Sequence, residues 1–179
     1  MKKLCTLLGG IAIGTLVLAE GLTGCASGPS PAKQEEAQKL YEQGKIAFEN
    51  KDYDQAIADF DRAIRLNPEF PAAYRSRGLT FETKKDYDRA IADYTETIRL
   101  DPQNSVNYRN RGDAYQKKGY LDQAIKDYTQ AIELNPQDGF AYWNRGLAYD
   151  NKQDYDRAIA DFTEAIQLNP KEVRLYRYR

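Results

Sequence analysis

The stretch Tyr155–Pro170, YDRAIADFTEAIQLNP, decides the fold, because the chain contains four versions of it. The other three begin at Tyr53, Tyr87 and Leu121 and read YDQAIADFDRAIRLNP, YDRAIADYTETIRLDP and LDQAIKDYTQAIELNP. Each copy closes on a proline, and successive prolines lie 34 residues apart, at Pro68, Pro102, Pro136 and Pro170. A constant period of this length indicates one supersecondary unit that is stacked on itself.

The period divides residues 37–172 into four units, and places are counted from their first residues, Ala37, Pro71, Ser105 and Gly139. Each unit has two runs of helical periodicity, the first with glycine at the eighth place and the second with alanine at the twentieth and an aromatic residue at the twenty-fourth. A glycine within a helix costs about 1 kcal/mol relative to alanine, so its recurrence predicts a close approach of two helices. These places hold Gly44, Gly78, Gly112 and Gly146; Ala56, Ala90, Ala124 and Ala158; and Phe60, Tyr94, Tyr128 and Phe162.

The pattern from Ala37 to Glu172 resembles the tetratricopeptide repeat. The resemblance implies an all-α, right-handed α-solenoid of four helix-turn-helix repeats, at residues 37–70, 71–104, 105–138 and 139–172. It also implies a short capping helix at 173–179, where the chain aligns with the opening of a fifth unit. The seventh place departs from the family, which usually has leucine there: this chain has Gln43, Arg77, Arg111 and Arg145.

An arginine that faces the helix pair needs a partner that offsets its desolvation. Every unit has an aspartate at the twenty-third place, and two pairings are open, within a unit or with the following unit. We predict the second, because it would satisfy all four aspartates. The expected pairs are Asp59–Arg77, Asp93–Arg111, Asp127–Arg145 and Asp161–Arg179.

The first residues read as a secretion signal, with Lys2 and Lys3 before an apolar run from Leu4 to Ala19 that is short for a membrane span. The following LTGC, ending at Cys25, resembles the bacterial lipobox. The resemblance implies a signal peptide at 1–24, a lipidated Cys25, and an outer-membrane location facing the periplasm, because Ala26 is not the aspartate of inner-membrane lipoproteins. Residues 25–36 are then expected to form the lipidated end and a flexible tether.

Composition gives no support for catalysis. The 179 residues include no histidine, and the net charge of −1 gives no strong attraction to nucleic acid. The carboxylates are spread over helix faces, and those around Asp52, Asp86 and Asp154 fit turns and helix caps. We therefore predict no enzyme activity, no metal and no cofactor.

The expected functional surface is the concave groove that the first helices form, and in the tetratricopeptide family this groove commonly binds a peptide or a helix. The fifth, ninth and twelfth places should face it, with asparagines at the sixth place of two units positioned to bond a ligand backbone. Trp143 is the favoured hot-spot residue, unless it packs against the capping helix. The predicted groove residues are Tyr41, Lys45, Phe48, Arg75, Leu79, Glu82, Arg109, Asn110, Asp113, Gln116, Trp143, Asn144, Leu147 and Asp150.

Three functions remain open at this point. The first is a membrane-anchored adaptor that binds a protein or peptide partner in the groove. The second is a structural subunit of a larger cell-envelope assembly, such as a pilotin-like or a secretion or pilus component. The third, a lipoprotein that binds a small ligand, would need an enclosed pocket, which open solenoids seldom have.

Overall fold

The computed structural model describes residues 28–169, and within them every regular element is an α-helix. The signal peptide, Cys25 and the capping helix expected at 173–179 lie outside the described residues. The eight helices of this part are α1 (Pro31–Glu49), α2 (Tyr53–Leu66), α3 (Pro71–Thr83), α4 (Tyr87–Leu100), α5 (Ser105–Lys117), α6 (Leu121–Leu134), α7 (Gly139–Asn151) and α8 (Tyr155–Leu168). Odd-numbered and even-numbered helices are the first and second helices of the four repeats, and they stack into an α-solenoid.

The turn between the two helices of a repeat is formed by a left-handed residue followed by a helix cap. Asp52, Asp86 and Asp154 each accept a hydrogen bond from the backbone N–H three residues later, which caps the second helix. The residue before each cap has a left-handed backbone, with φ of 62–64° at Lys51, Lys85 and Gln153 and 84° at Gly119. The third repeat has Tyr120 at the capping place, without a side-chain cap. The predicted role of these aspartates is confirmed.

The predicted tether is too long. Helix α1 begins at Pro31, so residues 31–36 are helical and do not form a flexible segment. A proline in the first turn already has a helical φ and lacks an N–H that would need a partner, and the residues that follow it are good helix formers.

The core of each repeat is a contact between a ring and a glycine. A Cβ added to the glycine at the eighth place would lie 2.6–2.9 Å from the aromatic ring at the twenty-fourth place in all four repeats. The alanines at the twentieth place are buried, with 0–2% of their surface exposed. The predicted close approach of the two helices is confirmed, and the glycine meets the ring.

The predicted ion-pair ladder between repeats is wrong. Arg111 binds Asp127 of its own repeat with two parallel bonds, Nε to Oδ2 at 2.7 Å and Nη2 to Oδ1 at 2.8 Å. The same fork joins Arg77 to Asp93 and Arg145 to Asp161. The reason lies in the core contact: the seventh and twenty-third places each precede a member of the glycine–ring pair. They therefore lie at the same level of one helix pair.

Asp59 has no arginine at the seventh place of its own repeat, because Gln43 stands there and is exposed. It accepts instead from Gln55 Nε2 at 3.0 Å, and Arg62 Nη1 lies 3.7 Å away. An aspartate at this place therefore finds a donor in every repeat.

Other residues make the polar contacts between repeats. The remaining arm of each arginine reaches the twenty-fifth place of the preceding repeat: Arg77 binds Asp61, and Arg111 binds Thr95 Oγ1 at 3.2 Å. Lysines at the fourteenth place bind aspartates at the eighteenth place of the preceding repeat. These pairs are Asp54–Lys84, Asp88–Lys118 and Asp122–Lys152.

Candidate partner-binding groove

Seven of the fourteen predicted groove residues line two pockets along the first helices. The first pocket, of about 190 Å³, lies at the first and second repeats, and the second, of about 430 Å³, lies at the third and fourth repeats. These two sites are the first pocket and the second pocket.

The first pocket is mainly apolar. Four predicted groove residues line it, and Glu49, Phe60 and Ser76 complete it. The ring of Tyr41 packs 5.9 Å from Phe60 and 5.1 Å from Phe70, measured between ring centroids. Leu79 is 46% exposed, which is high for a leucine and leaves apolar surface open to a partner. The four predicted residues are Tyr41, Lys45, Phe48 and Leu79.

The second pocket is polar and connects several helices. Asp113 Oδ1 accepts one hydrogen bond from the Tyr128 hydroxyl and one from Asn144 Nδ2, both at 2.8 Å. The Tyr128 hydroxyl also lies 2.8 Å from Gln116 Oε1. The lining residues are Asp113, Gln116, Lys117, Tyr128, Asn144 and Asn151, of which Asp113, Gln116 and Asn144 were predicted.

A further group of polar contacts joins the second and third repeats beside the second pocket. Glu82 accepts from the Tyr94 hydroxyl at 2.8 Å and from Lys117 Nζ at 2.5 Å. Burial raises the pKa of Tyr94, and the negative charge of Glu82 adds to it, so the phenol stays protonated. Predicted residue Glu82 is therefore engaged within the protein.

The other predicted groove residues occupy different environments. Arg109 binds both carboxylate oxygens of Asp138, the capping residue of α7, at 2.9 and 2.7 Å. Trp143 packs on Phe162 with ring centroids 4.8 Å apart and is half-buried, so it contributes to packing. Neither borders either pocket, nor do the half-buried Arg75, Asn110 and Leu147 or the exposed Asp150.

Six lining residues were not among the predicted groove residues, and they are of three kinds. Ser76 stands at the sixth place, where only asparagines were counted. Glu49, Lys117 and Asn151 stand at the thirteenth place, four residues after the ninth, so one more helical step would have included them.

Phe60 and Tyr128 stand at the twenty-fourth place and were assigned to the core. Phe60 is 1% and Tyr128 0% exposed, so the core assignment is confirmed. Both residues also border a pocket, because their rings lie against the glycine at the eighth place.

Within residues 28–169, no three or more histidine, cysteine, aspartate or glutamate side chains are grouped as metal ligands would be. None of the helices α1–α8 combines the length and the apolar character that a membrane span needs.

Comparison with known proteins identifies the class. A family model of the tetratricopeptide repeat matches residues 41–105 and 109–173, and the chain belongs to this family. No curated protein matches the chain in sequence. The fold therefore supports a protein-interaction scaffold.

Solved structures agree with this assignment. A crystal structure of MamA superposes with a TM-score of 0.73 at 25% identity, covering 80% of this chain and 84% of that one. A MamA fragment from Desulfovibrio magneticus has a TM-score of 0.72 at 23% identity, with 78% and 79% covered. The tetratricopeptide domain of OM64 from Arabidopsis has 0.63 at 24% identity, with 66% and 98% covered. The last two likenesses concern the fold alone.

Proposed function

We propose that the protein is a non-enzymatic adaptor that binds a segment of another protein in its groove and holds it at a bacterial membrane. The observation that carries the proposal is the pairing of two pockets of different chemistry on one row of first helices. A partner segment that lies along this row would place apolar and polar side chains at separate positions, which gives specificity as well as contact area.

The anchoring part of the proposal rests on the LTGC sequence at Cys25 after a signal-like run. Lipidation would leave the groove close to the outer membrane on its periplasmic side, because few residues separate Cys25 from α1 at Pro31. More than one acyl chain makes such anchoring stable, since each buried methylene contributes about 0.8 kcal/mol.

Lipidation is tested by metabolic labelling with a fatty-acid analogue in a bacterial host. The Cys25→Ser variant should lose the label and leave the membrane fraction. Continued labelling of this variant would remove the anchor from the proposal, and Cys5→Ser serves as the matched control because Cys5 lies in the predicted signal.

Partner binding is tested by photo-crosslinking in cells, with a photoreactive residue at position 79 in the first pocket or at the exposed position 151 in the second pocket. Matched probes at the exposed positions of Arg62 and Lys126 report the face of the second helices. We expect the same partner to be captured from positions 79 and 151 and not from 62 or 126. Capture from the second helices alone would contradict the groove as the binding site.

One observation favours the second function, a structural subunit of an envelope assembly. Among the exposed large apolar side chains of residues 28–169, Leu79 lines the first pocket, whereas Tyr155, Ile159 and Ile166 lie on α8 and are 46–63% exposed. In the first three repeats the isoleucine that corresponds to Ile159 is half-buried. If α8 contacts a neighbouring subunit, Ile159→Lys should release the protein from that complex without changing capture from position 79.

A further inference from the structure

The carboxylate of Asp113 in the second pocket has an incomplete set of partners. Its Oδ1 accepts from Tyr128 and Asn144. Within residues 28–169, no hydrogen bond reaches Oδ2, and no lysine or arginine nitrogen lies within 4.0 Å of the carboxylate. A half-buried carboxylate in this arrangement can accept a further donor from a ligand in the cavity.

Asp113 differs from the buried aspartates of residues 28–169 in having no arginine partner. All five aspartates that the structure buries have an arginine nitrogen within 4.0 Å, which compensates for the loss of water around the charge. These pairs are Asp59–Arg62, Asp93–Arg77, Asp127–Arg111, Asp138–Arg109 and Asp161–Arg145. Asp113 is partly removed from water without this compensation.

The basic side chains near Asp113 are already engaged with other acids. Lys117, on the same helix, binds Glu82 of the preceding repeat, and Arg109 binds both oxygens of Asp138. Lys117 lines the pocket but is paired with Glu82, which lies beside it, so with all three groups ionised the charge of Asp113 is not neutralised. The pocket is therefore complementary to a cation.

The electrostatics of Asp113 agree with this reading. The pKa of Asp113 is raised to about 6, mainly by burial, and the charge of Glu82 on α3 contributes to this shift. The hydrogen bond from Tyr128 on α6 and the charges of Arg109 and Lys117 on α5 oppose that shift. From α7 the amide of Asn144 faces the carboxylate.

We propose that the second pocket takes a lysine or arginine side chain of the bound partner segment, with Oδ2 of Asp113 accepting a hydrogen bond from the ammonium or guanidinium group. The proposal rests on the proposed function of the groove and adds the chemistry of the partner. An ammonium would bind as a compact charge, and a guanidinium would also reach the amide oxygens of the pocket. The first pocket then receives an apolar side chain of the same segment.

The test uses a random peptide library displayed on phage and selected on the immobilised full chain. Selected peptides should share one lysine or arginine at a constant distance from an apolar residue. In synthetic copies, replacing that residue by glutamine should weaken binding by about tenfold, the range expected for a charge-assisted hydrogen bond. On the Asp113→Asn variant the same replacement should change binding less than twofold.

Two controls accompany this experiment. Asparagine keeps an acceptor oxygen for Tyr128 and Asn144, so Asp113→Asn should keep its helical circular dichroism and its melting temperature. Asp156→Asn removes one charge at an exposed site on α8 and should retain the full preference for a basic residue. Binding on the unchanged chain should also weaken severalfold from pH 7.5 to pH 5, because a protonated Asp113 attracts a cation less.

The outcomes separate the inference from the function on which it rests. Peptides that bind without a basic residue, or whose basic residue counts equally on Asp113→Asn, would overturn the inference and leave the groove function in place. If no peptide is selected, or if the selected peptides bind Leu79→Asp as well as the unchanged chain, both fail.

Discussion

The first and third repeats share one backbone arrangement but present different side-chain chemistry to the groove. In both, the ring at the twenty-fourth place lies against the glycine at the eighth, Phe60 on Gly44 and Tyr128 on Gly112. Phe60 ends in a C–H and lines an apolar pocket, whereas the hydroxyl of Tyr128 contacts Asp113 and Gln116. The hydroxyl of Tyr128 thus adds a polar group to the second pocket while the contact between ring and glycine is kept.

The seventh place differs between the same two repeats in a second way. Arg111 forms a fork with Asp127 and continues to Thr95 of the preceding repeat, whereas Gln43 is exposed and leaves Asp59 to Gln55. The comparison separates places that hold a repeat together from places that give it its surface chemistry. Substitutions at places that hold a repeat together should change stability in both repeats. Substitutions at places that face the groove should change the binding chemistry of one pocket.

The largest effect is expected from Arg111→Leu, which introduces the residue that the family usually has at this place. Asp127 would remain buried without its two charge-assisted bonds, at a cost of about 3 kcal/mol in the free energy of unfolding. Urea unfolding followed by circular dichroism measures this loss.

A milder companion variant is Arg111→Gln, which copies the first repeat. It should cost less, because Gln123 stands four residues before Asp127 as Gln55 stands before Asp59. Equal stabilities for Arg111→Leu and the unchanged protein would show that the fork contributes nothing.

The next effect is expected at the twentieth place. Ala124→Leu would overpack a site that is fully buried between α5 and α6 and should cost about 2 kcal/mol. Ala56→Leu should cost a similar amount, because the place is equivalent in the first repeat. The control Lys126→Leu lies at an exposed position and should stay within about 0.5 kcal/mol. Three equal melting temperatures would mean that these helix faces are assigned incorrectly.

A smaller effect is expected from Tyr128→Phe, which makes the third repeat resemble the first at the twenty-fourth place. Loss of one hydroxyl should cost about 1 kcal/mol. The hydrogen bond from Tyr128 lowers the pKa of Asp113, so its removal should raise that pKa above its value of about 6. Carbon-detected NMR of the side-chain carboxyl groups measures this titration.

The sign of the pH effect follows from proton linkage. The folded protein binds a proton at Asp113 more tightly than the unfolded chain does. The contribution of Asp113 to stability therefore falls as pH rises from 3.8 towards about 6, and it levels off above that. Tyr128→Phe should extend the falling range upwards, and a range that contracts would contradict the assigned hydrogen bond.

The smallest effect is expected from Lys118→Ala, which removes one of the lysine–aspartate contacts between repeats. Its partner Asp88 is 77% exposed, and exposed pairs contribute about 0–1 kcal/mol. We expect a loss below about 0.5 kcal/mol that disappears in high salt. Lys152→Ala should behave in the same way, and a loss that persists at high salt would indicate a packing role.

The solenoid was predictable because its evidence recurs four times, at spacings that each identify one face of a helix. The start of α1 was not, because a segment rich in proline and glycine favours a tether on composition, whereas Pro31 is compatible with a first helical turn. The ion pairs were predicted from the number of available partners, and that criterion chose the wrong aspartates. An arginine pairs with the aspartate at the same height along its own helix pair, and the glycine–ring contact fixes that height.

The residues along the groove could be predicted in part, but the residues that form each pocket could not. Helical periodicity placed Tyr41, Leu79, Asp113 and Asn144 along it, and these four line the two pockets. Periodicity does not report which charged residues are already paired within the protein, so Arg109 and Glu82 were counted as available. It also does not follow a ring across the helix pair, which is why Tyr128 was missed.

The most direct test of the groove is a crystal structure of the full chain with a peptide selected on it. The account predicts that the peptide lies along α1, α3, α5 and α7. An apolar side chain should rest on Phe60 and Leu79, and a basic nitrogen should lie within hydrogen-bond distance of Asp113 Oδ2. A peptide bound across the second helices, or one that leaves both pockets empty, would contradict it.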